Sequence, residues 1–153
     1  MKTTFLTVLL TAILMCGAVQ ASTFTLKLDN DYAAADLTKR FGAFDVGATV
    51  GVDYFLAGSS ISGLDLDIRD WSVGPIVKYH FTKEDAKWDP YVGFAMMIPD
   101  GRLANLQLKD VPLVYEGGVN FYFSEHVGVG LLYQYCSKAK KEDRVMLSLP
   151  VRF

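Results

Sequence analysis

The side chains able to do chemistry are few and far apart in this sequence. His80, His126 and Cys136 are the candidates for a nucleophile or its base. A working nucleophile needs a base within hydrogen-bond reach, held in turn by a third group. No serine sits two residues after either histidine, and neither histidine makes a recognisable pair with Cys136, so no catalytic residue is predicted. Asp65, Asp67 and Asp70 could gather a divalent cation, or bridge through one to an anionic lipid. The cluster lacks the glycine and the closing bidentate carboxylate of a calcium loop, and Arg69 lies inside it. These acids read as solvated loop residues, with no metal site and no cofactor implied. Cys136 reads as a small, semi-buried residue whose free thiol could oxidise.

The remaining polar residues fall into a period of two. Asp45, Gly47, Thr49, Gly51 and Asp53 alternate with Phe44, Val46, Ala48, Val50, Val52 and Tyr54. Ser72, Gly74, Ile76, Lys78 and His80 alternate in the same way with Trp71, Val73, Pro75, Val77, Tyr79 and Phe81. Such alternation marks strands with one apolar and one mixed face. A face that combines small residues with charges suits a narrow polar lumen better than the apolar inside of a soluble barrel. Asp45, Asp53, Lys78, His80, Glu116, Asn120 and Arg152 are the predicted polar network of that lumen. Lys27, Asp29, Asp70, Tyr122 and Gln134 fall on the same faces. Charges enclosed there must pair or hold water, because an unpaired buried charge is costly.

The elements that position these residues are about eight strands. Residues 23–29 open with Phe24, Leu26 and Leu28 on one face, and Asn30-Asp31 suits a turn. Residues 32–41 form a weaker second strand, with a short helix over 33–40 as the competing reading. Gly42 marks a tight turn before the third strand. Residues 57–69 read as a long surface loop with possible strand extensions, and Pro75 in the next strand predicts a bulge or local irregularity. Residues 88–98, 113–123, 127–135 and 145–153 supply the other strands. The connections near 42, 82–87 and 124–126 are short, while those at 57–69, 99–110 and 136–143 are mostly longer. Phe44, Tyr79, Phe81, Phe121, Phe123 and Phe153 collect toward one rim, and Tyr54, Trp71, Tyr115 and Tyr133 toward the other, as two interface belts would.

Both ends of the chain carry targeting information. Lys2, an apolar run through Met15 and the Val19-Gln20-Ala21 sequence make residues 1–21 a secretory signal peptide cleaved after Ala21. Lipid attachment at Cys16 is an alternative, although Met15 is bulky for that processing. Residues 22–153 would form one domain with Cys136 as its single cysteine, so no internal disulfide is expected. The formal net charge of −2 gives no argument for nucleic-acid binding. No apolar run after residue 21 approaches the roughly 20 residues of a membrane helix, so a membrane could be crossed only by strands.

The closing stretch, V-M-L-S-L-P-V-R-F over residues 145–153, alternates Val145, Leu147, Leu149, Val151 and Phe153 against a mixed face. It resembles the last strand of small, eight-stranded outer-membrane β-barrel proteins of Gram-negative bacteria, with Leu149, Val151 and Phe153 matching the assembly signal of that family. Pro150 and the missing upstream glycine depart from the usual form. The D-P-Y-V-G run, Asp89 to Gly93, resembles strand starts in the same proteins. The resemblance implies an all-β, antiparallel, up-and-down transmembrane barrel, a monomer integral to the outer membrane, with a structural or surface-interaction role and no enzymatic one. It also implies contact with membrane lipids and lipopolysaccharide, and with the barrel-assembly machinery and periplasmic chaperones. Three alternatives stand beside it. A soluble barrel around an apolar ligand would turn the Phe153 series inward and Asp45, Asp53, Lys78 and Glu116 to water; a narrow channel would conduct along the glycine-rich wall; a lipid-modifying enzyme would need a Ser/His/acid cluster at one rim.

Overall fold

The structure, a computed structural model, describes residues 23–57, 65–99, 111–137 and 143–153. The expected signal peptide, the alternative attachment point Cys16 and most of the 99–110 loop lie outside the described residues. Nine strand segments are present among them: β1 (Thr23–Leu28), β2 (Tyr32–Phe41), β3 (Phe44–Ala57), β4 (Asp65–His80), β5 (Trp88–Met96), β6 (Ile98–Pro99), β7 (Leu113–Tyr122), β8 (Gly128–Cys136) and β9 (Asp143–Arg152). β5 and β6 lie along the same side of β4 in one register, Ile76 opposite Ala95 and Val73 opposite Ile98, and act as a single strand interrupted at Met97. Every pairing is antiparallel, and β9 pairs with β1 while β3 pairs with β4, so eight strands close on themselves. Closure pairs the strands on both sides within the barrel wall, while beyond Asp53 and Ser72 the extensions of β3 and β4 pair, among the described residues, only with each other. Following the pairings once around displaces the register by about ten residues, the stagger that tilts the strands of a closed barrel.

Residues 32–41 form a strand and not the competing helix. Local propensity in Ala33-Ala34-Ala35 favours a helix, but both edges of β2 are used, Leu26 opposite Ala35 on one side and Ala35 opposite Val50 on the other. That ladder, with a buried face of Tyr32, Ala34, Asp36 and Thr38, outweighs the propensity term. The β2–β3 turn contains only Gly42 and Ala43, and Gly42 adopts a φ of +63°, a left-handed conformation that costs glycine nothing. At the other end of β2, the Asp29 N–H donates to the Tyr32 carbonyl at 2.8 Å and closes a short turn.

The pairings of β4 refine two expectations. Residues 65–69 belong to β4 and not to a loop, since Asp65 pairs with Ala57, Leu66 with Leu56, Asp67 with Phe55 and Ile68 with Tyr54. Their acids masked an alternation with Leu66 and Ile68, and a register shift at Asp53/Tyr54, where Arg69 is the extra residue, separates this stretch from the lower strand. The irregularity predicted at Pro75 affects only one side. The ladder with β3 runs unbroken through Pro75 opposite Ala48, whereas the ladder toward β5 and β6 is interrupted at the Gly74–Pro75 level.

The barrel has two unlike ends. The chain's first and last described strands meet at the near end, beside the connections 42–43, 81–87 and 123–127. The far end carries the 29–31 turn, and there β3 ends at Ala57 and β4 begins at Asp65, β6 ends at Pro99 and β7 begins at Leu113, and β8 ends at Cys136 and β9 begins at Asp143. Side chains that point outward are apolar and exposed: Val145 is 66 % exposed, Leu131 59 % and Phe153 74 %. Outward aromatic rings pair across strands, Phe44 with Tyr79 at 5.2 Å and Trp88 with Phe121 at 4.8 Å toward the near end, and Phe94 with Tyr115 at 5.3 Å farther up.

Candidate functional site

The inside of the barrel is where charged side chains converge. β1 carries Lys27, β2 Asp36, β4 Lys78 and β7 Glu116, each at an inward position of the pleat and each almost wholly buried. The Lys27 ammonium lies 2.6 Å from Asp36 Oδ2 and donates to Glu116 Oε2 at 2.5 Å. Lys78 Nζ lies 2.6 Å from the same Asp36 oxygen and 3.7 Å from Glu116 Oε1. Two cations and two carboxylates thus alternate around a square that is electrically neutral. Four charges at this depth are tolerable only together, because removing one leaves a neighbouring charge unpaired in the enclosed interior. Gly93 makes the square possible at one corner: a Cβ there would press to 2.7 Å from Glu116 Cγ, so Glu116 lies across a bare backbone.

A second cluster fills the near end. His80 Nδ1 lies 2.9 Å from both oxygens of Asp89, and Nε2 lies 3.2 Å from Asp45 Oδ2. Thr38 donates its hydroxyl to Asp45, and Thr82 to Asp89. Arg40 approaches Asp45 at 3.5 Å and Asp89 at 3.9 Å, and donates to the carbonyls of Gly42 and Thr82, tying two near-end turns together. The Arg152 guanidinium lies 3.3 Å over the Tyr122 ring and 3.4 Å from Asp89. Beyond it, an open cleft of about 890 Å³ lies between the 83–87 loop and the 123–126 turn. At the far end, Arg144 donates to Asp53 at 3.1 Å, approaches Asp31 at 3.8 Å and sits 4.3 Å over the Tyr32 ring.

The predicted network residues therefore separate into groups. Lys78 and Glu116 belong to the central square, Asp45, His80 and Arg152 to the near-end cluster, and Asp53 to the far mouth, where it is half-buried. Asn120 is buried and accepts a hydrogen bond from Ser148 at 2.9 Å, joining neither ion cluster. Tyr122 and Gln134 are buried inside as well. Asp70 pairs in register with Asp53 but is exposed, so it does not belong to the buried lumen. Leu149, Val151 and Phe153 lie on the outward face of β9 and its end. Asp36, Asp89, Arg40 and Arg144 are site residues that sequence reasoning missed. Asp36 and Arg40 share a face with Thr38, and Asp89 precedes the inward Tyr91 by two, so the alternation carried the signal.

The inside-out distribution overturns the soluble-barrel alternative. That reading required the Phe153 series inside and Asp45, Asp53, Lys78 and Glu116 in water, whereas Phe153 is among the most exposed residues, Asp45, Lys78 and Glu116 are 2–5 % exposed, and of the four Asp53 alone is half-exposed. The class of the protein follows from the fold: an all-β, closed, eight-stranded antiparallel barrel with a buried salt-bridge network inside and apolar side chains outside. The same fold is found in the N-terminal β-barrel domain of Pseudomonas aeruginosa OprF, with a TM-score of 0.56 at 13% identity over 84% of this chain and 91% of that one. No protein-family model matches this chain, and no curated protein does.

Proposed function

We propose that this chain is an integral outer-membrane barrel of a Gram-negative bacterium, a monomer with a structural or surface-interaction role and a lumen filled by its own side chains. The observation that carries this reading is the exposed apolar band wrapped around a charged interior. Each large apolar side chain left in water forgoes about 1.5–3 kcal/mol that burial would return, and a lipid environment supplies that burial. The band also has the right height: the ten steps from Leu113 to Phe123, at ~3.4 Å each and the ~40° tilt of such barrels, rise about 26 Å, against the roughly 25 Å apolar belt of outer-membrane barrels. Rings at both ends of the band suit the headgroup level.

Lipids and lipopolysaccharide are the proposed partners of the outer face. Leu149, Val151 and Phe153 are proposed as the part read by the assembly machinery, after escort by periplasmic chaperones. The far-end connections would face the cell exterior and carry any surface interaction. The reading includes no catalytic step: His80 lies at the near end and Cys136 at the far end of the barrel, so they form no nucleophile–base pair. The test is fractionation followed by electrophoresis. Retention in outer membranes through alkaline and urea washes, with a band whose mobility changes on boiling, is the expected result; release into the soluble fraction would refute it.

A further inference from the structure

The lumen is not uniform along its axis. From the near end to the central square its inward positions are polar: His80 and Lys78 on β4, Arg40, Thr38 and Asp36 on β2, Tyr122, Asn120 and Glu116 on β7. One inward position beyond the square the chemistry changes. Lys78 is followed by Ile76, Asp36 by Ala34 and then Tyr32, Glu116 by Val114, and Ser148 by Met146. On β5 and just beyond it, Ala95 and Met97 take the same level. These side chains form two buried apolar clusters, Tyr32, Ala34, Leu132 and Met146 with Tyr91, and Ile76, Ala95, Met97 and Val114 with Cys136 against them. Gln134, in register between Glu116 and Arg144, and Asp29, the inward position after Lys27 on β1, interrupt this level with polar groups, and β3 contributes Thr49 and Gly51 to it.

The buried polar atoms divide along the same line. Asp36 Oδ1, Asp45 Oδ1, Glu116 Oε1 and the Tyr91 hydroxyl have no hydrogen-bond partner among the described residues, and all lie at the square or on its near side. Beyond it, Arg144 Nη1 is the corresponding atom described, at the far mouth above the apolar layer. Buried polar groups of this kind are ordinarily satisfied by water. An apolar constriction in a narrow lumen excludes water and ions by dewetting.

We infer that the lumen is a blind vestibule, hydrated from the near end up to the Lys27–Asp36–Lys78–Glu116 square and closed to ions by the apolar layer on its far side, not by the ion pairs. This rests on the membrane reading above. In the vestibule the charges are held in place but do not form the barrier; the barrier is the pair of apolar clusters beyond them, Ile76, Met97 and Val114 in one and Leu132 and Met146 in the other.

The test is ion conductance of the full protein reconstituted in planar lipid bilayers in potassium chloride. The wild type should show no steady conductance, and Lys27→Met/Glu116→Gln, which removes one cation and one anion and leaves Lys78 with Asp36, should stay closed. Met97→Ala/Leu132→Ala/Met146→Ala should give discrete conductance steps at least tenfold above the wild-type background. Steady conductance by the wild type, steps from the double variant, or silence from a folded triple variant would each overturn the inference. Should the triple variant not fold, the other two proteins still decide it, since either one conducting refutes an apolar seal. A heat-modifiable band confirms that each protein is an inserted barrel, so failure of the seal is distinguished from failure of the membrane reading.

Discussion

Replacing Asp36 by Asn should destabilise the barrel more than almost any other single polar change. Asp36 is 0 % exposed, and its Oδ2 lies 2.6 Å from both Lys27 Nζ and Lys78 Nζ. Asparagine keeps the shape but leaves two buried ammonium groups sharing Glu116 alone. Breaking a buried ion pair by removing one partner costs about 3–5 kcal/mol, most of it the penalty for the charge left behind. With a urea dependence of about 2 kcal/mol per molar, the unfolding midpoint should fall by ~1.5–2.5 M. The companion variant Asp36→Asn/Lys27→Met, with Lys27→Met alone completing the cycle, removes one charge of each sign and leaves Lys78 facing Glu116. It should recover most of the loss, giving a coupling energy of at least about 2 kcal/mol in a double-mutant cycle. Urea unfolding of the detergent- or vesicle-folded protein, followed by tryptophan fluorescence and by heat-modifiable mobility, reads both. An Asp36→Asn variant within about 1 kcal/mol of wild type would refute the argument that the square is held together by mutual neutralisation.

Other substitutions test other parts of the account. Leu131→Arg places a charge on the exposed apolar face and should cost about 2–4 kcal/mol of folding stability in lipid vesicles, measured by urea titration; an unchanged midpoint would mean that residue 131 does not face hydrocarbon. Arg144→Met frees Asp53 and Asp31, which are half-exposed or exposed, and should lower stability by no more than about 1 kcal/mol in the same titration. Gly42→Val forces a β-branched side chain into a left-handed turn and should cost at least about 1 kcal/mol, visible as slower folding into vesicles as well as a lower midpoint.

The strand pattern was open to sequence reading because an inside-out barrel writes it twice, once as an apolar series and once as a small-and-charged series at the same period. Val145 through Phe153 and Phe44 through Val52 are clear for that reason. Residues 33–40 were ambiguous because alanine, leucine, lysine and arginine favour helices, and only pairing with β1 and β3 decides between the two forms. Residues 65–69 were hidden by their acids, and the register shift beside Arg69 breaks the alternation. The site was legible as a set of inward charges but not as a network. Lys27 and Glu116 are 89 residues apart, and which charges meet depends on the barrel's stagger and on bare positions such as Gly93. That dependence is why Asp36, one corner of the square, escaped notice while Asp53, at the mouth, was grouped with residues it never meets.

The central claim is that the outward face meets lipid and the charged face is enclosed. The chain's two tryptophans, Trp71 and Trp88, both lie on the outward face, 36 % and 61 % exposed. The most direct measurement is their fluorescence after folding the protein into vesicles of brominated phospholipid, compared with unbrominated vesicles of the same composition. The account predicts strong quenching by bromine carried on the acyl chains. Emission equal in the two vesicle types, with the protein folded, would place the tryptophans away from the bilayer and contradict the inside-out assignment of every strand.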